Sequence, residues 1–502
     1  MATRTETSRS AWWGLAVLAL PTLLSAVDIN VLFLALPHLT HDLGASAVEQ
    51  LWITDIYGFV LAGLVLTMGT LGDRIGRRRL LFAGGLVFAV TSVVAAYSVS
   101  PEMLIASRAL LGIAGATLMP STLALITTMF RDGPERGLAI SIWATCQFSG
   151  AALGPVVGGV LIDHFWWGSV FLLAVPVMVV LLVVGPFVLP ECASGEPGRL
   201  DLVSVAMSLV AVLSAVYGVK ALATGTAAAG VAVTALVVGG AVGALFVRRQ
   251  LRMERPLLDL GLFRLSRVSI VLGALVGAGI AMAGVGMQVT QYLQSVLGYP
   301  PVAAAAWFAP MGLGVAAGTM LTPALVRRVA APAAVSGGLV VAALGSALLV
   351  LVPSEGGPVT AVVAITVLAI GTGPLFALGT GYIVGTVPVG RAGAAASLAE
   401  TGNYIGGALG LALLGTLATA AYRLRMDTVV PEQARGVLGQ ARETVSGAAA
   451  AAGELPAGDG ARLLQAAHEA FTGSLHLLGI VGAGLFVVLA VGTSRIRLAH
   501  DR

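Results

Sequence analysis

Three carboxylates and one guanidinium sit where water is scarce. Asp28, Asp55, Glu400 and Arg108 each lie inside a long apolar run, in a 502-residue chain of which only 10% is charged. A charge at bilayer depth costs about 2.5–3.5 kcal/mol on insertion scales, so such groups face a bundle interior or a watered cavity and serve ion or substrate movement. Burial favours the protonated carboxylate, and a nearby cation favours the ionised one. One such group can hold either a proton or a positively charged substrate, and holding both together is unfavourable. That exclusion is the minimum chemistry of an antiporter. The driving force suffices, since about 2.3 kcal/mol per charge per 100 mV lets one proton at ~150 mV sustain roughly a 300-fold gradient. Arg108 could equally neutralise Asp28 or Asp55 in a purely structural network, and the residues alone leave both readings open.

Other chemistries lack their residues. The single lysine, Lys220, stands in Gly218-Val219-Lys220-Ala221, so no G-x-x-x-x-G-K-[ST] phosphate loop exists and an ATP-driven pump within one chain is excluded. His468-Glu469 lacks the second histidine of a zinc-peptidase motif, and no G-x-S-x-G nucleophile turn occurs. His38 and His41 at the outer end of the first span read as solvated interface residues. Cys146 and Cys192 make no disulfide framework. The expectation is no catalytic residue, no metal and no cofactor, with protons as the coupling ion.

The elements that position these charges follow from composition. The apolar set is 57% of the chain and glycine adds 65 residues, far beyond a soluble domain. A soluble enzyme is excluded, and the absence of period-two alternation excludes a transmembrane barrel. The expected fold class is an all-α polytopic membrane protein with 14 transmembrane helices, near 12–36, 50–71, 80–99, 103–128, 138–162, 169–189, 203–223, 228–247, 268–292, 302–326, 333–352, 359–385, 392–420 and 474–494. The first run is too long for a signal-peptide core and reads as a retained helix. An even count puts both termini on one side. Of 28 basic residues, 21 lie in loops on that side and none in the opposite short loops, so both termini are expected in the cytoplasm. The net charge of +4 then reports topology and not nucleic-acid binding. At about 1.5 Å per residue, Asp28 lies roughly 12 Å below the outer end of its span, Asp55 roughly 7 Å, and Glu400 about 13 Å from an inner end. Segment 422–472 reads as an extracytoplasmic helical hairpin broken near 453–459.

Glycines mark the tight places. After the second span comes Gly69-Thr70-Leu71-Gly72-Asp73-Arg74-Ile75-Gly76-Arg77-Arg78-Arg79-Leu80-Leu81, a crowded turn held on the cytoplasmic side by arginines. Asp73 could pair with an arginine or a helix N-terminus and stabilise one conformation. The fifth span carries Gly150, Gly154-Pro155 and Gly158-Gly159. The four-residue spacing puts them on one face for close helix contact, while Pro155 removes a backbone hydrogen bond.

These runs resemble the major facilitator superfamily. Gly69–Leu81 is similar to its G-x-L-a-D-R-x-G-R-[KR]-x-x-L loop, Arg108–Gly112 to its R-x-x-x-G element, and Gly150–Gly159 to the motif of its antiporters. Asp28-Ile29-Asn30 through Ala35-Leu36-Pro37 resembles the L-D-x-T-x-x-x-x-A-L-P signature of the fourteen-span drug:proton antiporter branch, with Asn30 in place of threonine. Leu257–Leu260 with Leu262-Phe263-Arg264 resembles that branch's segment before the ninth span.

The resemblance implies a major facilitator fold of two six-helix bundles, 1–189 and 268–502, joined by two linking helices in 190–267, with a site between them near the midplane. It implies Asp28 and Glu400 as proton or cation sites, Arg108 as a coupling residue, and Asp73, Arg74, Gly76, Arg77 and Arg78 as a conformational latch; Asp55, as a carboxylate inside a span, joins the candidate coupling residues on its own chemistry. Candidate cavity residues are Asn30, Trp52, Tyr57, Trp143, Gln147, Gln288, Gln291, Asn403 and Tyr404. An aromatic and methionine-lined cavity suits lipophilic cations. The implied activity is proton-coupled export of lipophilic, often cationic drugs, antiseptics and dyes across a bacterial cytoplasmic membrane. The expected partners are small molecules and membrane lipid, with no nucleic acid, and the chain is expected to work as a monomer. A dedicated exporter of one metabolite or self-made antibiotic fits the same residues.

Overall fold

Lipid offers no partners to backbone N–H and C=O groups, so a chain this apolar crosses a bilayer as helices or as a closed barrel. The computed structural model describes residues 9–45, 47–130, 133–191, 201–224, 229–253, 266–385, 392–429, 441–442 and 444–495. Every regular element among these is helical. The loop resembling the segment before the ninth span, 257–264, lies outside the described residues.

The first bundle holds α1 (Arg9–Leu43), α2 (Ala47–Ile75), α3 (Arg77–Ala96), α4 (Pro101–Met129), α5 (Gly133–His164), α6 (Ser169–Leu172) and α7 (Ala174–Val188). The pair α8 (Leu202–Thr224) and α9 (Ala229–Gln250) follows. The second bundle holds α10 (Ser266–Gln291), α11 (Pro301–Val326), α12 (Ala331–Leu348), α13 (Val359–Gly385), α14 (Ala392–Val429) and a C-terminal helix Ala457–Ser494. Among the described residues, 12 helices are long and apolar enough to cross a membrane, against the fourteen expected. The two outside that number are α5, of 32 residues, and α8, of 23 residues. The sixth expected span is two helices parted at Leu173. Pro176 explains the break, because it offers no N–H to the Leu172 carbonyl.

Local chemistry starts and joins these helices. Ser100 caps α4, its hydroxyl accepting from the Met103 amide at 3.3 Å with Pro101 in the first turn. Asp201 does the same for α8, accepting from the Val203 amide at 3.2 Å. It also receives Arg249 Nε at 2.8 Å and Nη2 at 3.1 Å, which clamps α8 to the end of α9. That guanidinium hydrogen bond holds the Asp201 carboxyl down at about 2.

Packing divides into two bundles with seams between them. In the first, α1 lies on α5 and α2 on α4; in the second, α10 lies on α14 and α13 on both α11 and α12. The bundles meet where α5 packs on α11 and where α2 packs on α14. Helix α8 lies against both α2 and α14, so the linking pair covers that second seam from the side.

The expected outer hairpin takes a different form. Helix α14 and the C-terminal helix each run 38 residues without a break. At 1.5 Å per residue each is about 57 Å long, well past the ~30 Å hydrocarbon layer. With the short helix Val445–Gly453 their projecting ends build a lobe that buries Val445, Ala448, Ala451, Leu463 and Ala467. The expected break is the turn between Gly453 and Ala457, and the second run is simply the outer part of the C-terminal helix.

Candidate functional site

The first charged centre lies wholly inside the first bundle. Arg108 Nη1 on α4 donates to Asp28 Oδ2 on α1 at 2.6 Å, with the side chains 1% and 4% exposed. Arg108 Nε donates to the Ile53 carbonyl of α2 at 3.3 Å. The Tyr57 and Phe171 rings flank the guanidinium, their centroids 4.6 and 5.9 Å from Cζ. Arg108 thus satisfies Asp28 and ties three helices together. Of the two carboxylates left open by sequence, Arg108 takes Asp28, while Asp55 sits half-buried on α2.

Glycines let these helices approach. A Cβ at Gly112 would stand 2.8 Å from the Tyr57 carbonyl oxygen, so α4 lies directly on the backbone of α2 beside Arg108. A Cβ at Gly150 would overlap Ala26, and one at Gly158 would overlap Val31. Asp28 lies between those two contacts, so the face of α5 carrying Gly150 and Gly158 seats the segment of α1 that bears the carboxylate. Gly154 is buried on the same helix, and Gly159 faces open space. The ring of Pro155 lies outside the described side chains.

The second charged centre bridges the two bundles. Gln147 Nε2 on α5 donates to Glu400 Oε2 on α14 at 3.2 Å. Glu400 is buried at 5% exposure. Trp143 lies one turn away, its indole N–H donating to Thr122 Oγ1 at 3.0 Å. Two residues before Gln147, the Thr145 hydroxyl meets Thr319 Oγ1 on α11 at 2.8 Å.

A cavity of about 1140 Å³ opens beside Glu400. Its walls are Met282, Met287, Met311 and the rings of Phe59, Phe148, Phe308, Phe376 and Tyr404, with Gln288, Gln291 and Asn403 as polar points. Val216 and Val219 of α8 close one side, and Thr444, Val445 and Phe471 of the lobe close one end. No charged side chain is among the described lining residues. The volume accommodates a drug-sized molecule.

Where α2 turns into α3, Asp73 Oδ1 accepts from Arg77 Nε at 2.9 Å and Nη2 at 2.8 Å. Arg77 Nη1 reaches the Ala124 carbonyl at 3.3 Å and Thr128 Oγ1 at 3.2 Å. Arg78 Nε donates to Glu191 Oε2 at 3.0 Å and its Nη1 to the Leu189 carbonyl at 3.0 Å. The turn runs through Gly76 at φ +107°, where any side chain would be strained and a Cβ would press on Glu191. Arg74 is half-buried beside this network. The ends of α2, α3, α4 and α7 are therefore held as one unit.

The candidate residues divide accordingly. Gln288, Gln291, Asn403 and Tyr404 line the cavity, while Trp143, Gln147 and Asn403 line a separate small chamber at Glu400. Tyr57 lies against Arg108, and Trp52 stacks on Tyr217 of α8 with centroids 6.3 Å apart. The side chain of Asn30 lies outside the described ones. Sequence reasoning missed Glu191, Phe148 and Phe376, and expected a methionine lining without naming Met282, Met287 and Met311. For Glu191 a signal existed, an acid just after an apolar run facing a cluster of arginines.

A model described as Major Facilitator Superfamily matches residues 18–411. The multidrug efflux pump LfrA of Mycolicibacterium smegmatis is 43% identical over 492 residues, covering 97% of this chain and 96% of that one. The methyl viologen resistance protein SmvA of Salmonella typhimurium is 33% identical over 486 residues, 96% of this chain and 97% of that one. Among solved structures, the human organic anion transporter MFSD10 (TETRAN) superposes with a TM-score of 0.64 at 14% identity, covering 96% of this chain and 99% of that one. At that identity the likeness concerns the fold alone.

Proposed function

The chain belongs to the Major Facilitator Superfamily, and from that premise we propose that it is a proton-coupled antiporter expelling lipophilic, often cationic, drugs and dyes. It is a multi-pass membrane transporter, and its efflux-pump relatives point to small molecules as cargo. The observation that carries the reading is the pairing of a large uncharged cavity with buried carboxylates on both bundles. The cavity offers methionine and aromatic walls for an apolar cation to lie against. Asp28 and Glu400 supply sites where a proton and a positive charge exclude one another. Arg108 competes for Asp28 and gives the proton-free state an internal counterion. The Asp73–Arg77 and Arg78–Glu191 contacts act as the latch on the cytoplasmic side in this conformation.

In the same proposal all fourteen expected helices span a bacterial cytoplasmic membrane, α5 and α8 included. The arginine-rich loops and both termini lie inside, and one chain suffices for transport. The kinship with a methyl viologen resistance protein makes that flat dication a natural test cargo.

Everted vesicles bearing the protein, energised to an acid interior and monitored with a pH-sensitive dye, test the reading. Adding methyl viologen or ethidium is expected to release protons from the interior, and collapsing the pH gradient is expected to stop cargo uptake. Uptake that continues at full rate after collapse overturns it.

A further inference from the structure

Glu400 is close to the cargo cavity but is not part of it. Its carboxyl lies in a separate chamber of about 10 Å³, lined by Trp143, Gln147, Phe148, Phe376, Thr380 and Asn403 among others. That volume admits about one water molecule. Phe148, Phe376 and Asn403 line both spaces, so the wall between them is built from these side chains. The two phenylalanine rings close it, tilted at 45° with centroids 4.8 Å apart. A cargo of drug size cannot pass to Glu400 while the rings touch.

The two rings belong to different bundles. Phe148 stands on α5 and Phe376 on α13, and the neighbouring residue Gln147 makes the hydrogen bond to Glu400 on α14. One step of α5 thus carries both the cap on the carboxylate and half of its cover. Moving α5 away from α13 and α14 breaks the Gln147–Glu400 bond and parts the rings in the same motion. Thr145, two residues earlier, holds α5 to α11 across the same seam.

We propose that Gln147 and Phe148, closed against Phe376, form a removable cover that admits cargo to Glu400 only when the two bundles separate along α5. The inference rests on the antiport reading for its purpose, since the cover would keep proton and cargo from meeting Glu400 together. Its geometry stands apart from that reading. Closed, Glu400 faces Gln147 and a space of about one water's volume; open, it adds a charge to a cavity whose described lining has none and can receive the cationic end of a lipophilic molecule. The ring pair therefore acts as a positioning and specificity element.

Accessibility labelling tests the cover directly. In a Cys146→Ser, Cys192→Ser background, Glu400→Cys is treated with a trimethylammonium methanethiosulfonate reagent, which is itself a small cation. Slow labelling is expected, rising at least about tenfold when Phe148→Ala or Phe376→Ala removes the aromatic contact. Asn403→Cys, which faces both spaces, serves as the control and is expected to label at similar rates with or without the rings, reporting an intact fold. Phe148→Leu is expected to fall between wild type and alanine. Equal Glu400→Cys rates with and without the rings, or labelling as fast as Asn403→Cys in the ring-intact protein, overturns the proposal. Labelling needs no proton gradient, so a failed vesicle assay alongside ring-dependent labelling would sink the antiport reading and spare the cover.

Discussion

Neutralising Asp28 separates a proton carrier from a structural ion pair. The Asp28–Arg108 bond of 2.6 Å is almost fully shielded from water, and Arg108 spends its other described donor on the Ile53 carbonyl. Removing one partner of such a buried pair costs about 3–5 kcal/mol, because the survivor keeps an uncompensated charge. Against a typical fold stability of about 5–15 kcal/mol, that is a large share. Arg108→Ala and Asp28→Asn are each expected to lower the melting temperature in detergent and the folded yield. Arg108→Lys is not expected to rescue, since a point charge cannot serve Asp28 and the Ile53 carbonyl with one fork. The double variant Asp28→Asn with Arg108→Gln removes both charges, so most of the lost stability is expected to return. Transport behaves differently. Proton-driven ethidium efflux from reconstituted vesicles is expected to be absent in Asp28→Asn and to stay absent in the stable double variant. If the double variant pumps at the wild-type rate, the pair is structural and the coupling role of Asp28 is refuted.

Glu400→Gln keeps the Gln147 contact possible but removes the charge, and is expected to abolish gradient-driven export of dications while leaving the melting temperature nearly unchanged; an unaltered export profile across several charged compounds contradicts the role. Gly150→Leu drives a side chain into Ala26 and the α1 backbone, so cost on the order of 3 kcal/mol and loss of transport are expected by thermal melting and vesicle assay, as overpacking costs about 1–3 kcal/mol. Gly76→Ala places a Cβ on a φ of +107° against Glu191, with an expected penalty of about 1–3 kcal/mol and faster trypsin cleavage at Arg77, Arg78 and Arg79. Asp201 is held below the usual carboxylate range, so its pairing with Arg249 contributes fully above pH ~4 and is lost as pH falls toward 2. Asp201→Asn is therefore expected to cost at most about 1 kcal/mol at pH 7, since the pair is partly exposed, and progressively less as pH falls through 2.

Sequence by itself determined that this is a helical membrane protein, which residues carry charge into the apolar spans, and which glycines permit helices to touch. Those facts are local: an 18-residue apolar run, a single lysine and a four-residue glycine spacing can be read without knowing any neighbour. Gly150 and Gly158 do seat α1, because their spacing is set by helical periodicity, while Asp73 finds Arg77 across the Gly76 turn between α2 and α3. The tertiary structure decided the pairings. Arg108 took Asp28 over Asp55: Gly150 and Gly158 of α5 seat the segment of α1 that bears Asp28, and Gly112 lays α4 on the Tyr57 backbone of α2, so the guanidinium reaches the carboxylate across that helix. Gln147 met Glu400 across 253 residues, and Phe148 met Phe376 across the same seam, because two bundles pack along α5. Tyr57 and Trp52, whose types suit a cavity, were turned toward Arg108 and Tyr217 by the faces of α2 that those neighbours occupy. The lobe around Val445 likewise became a wall of the cavity only when two over-long helices carried it there. Periodicity tells which way a side chain leaves its helix, but only the packed bundle sets what it meets.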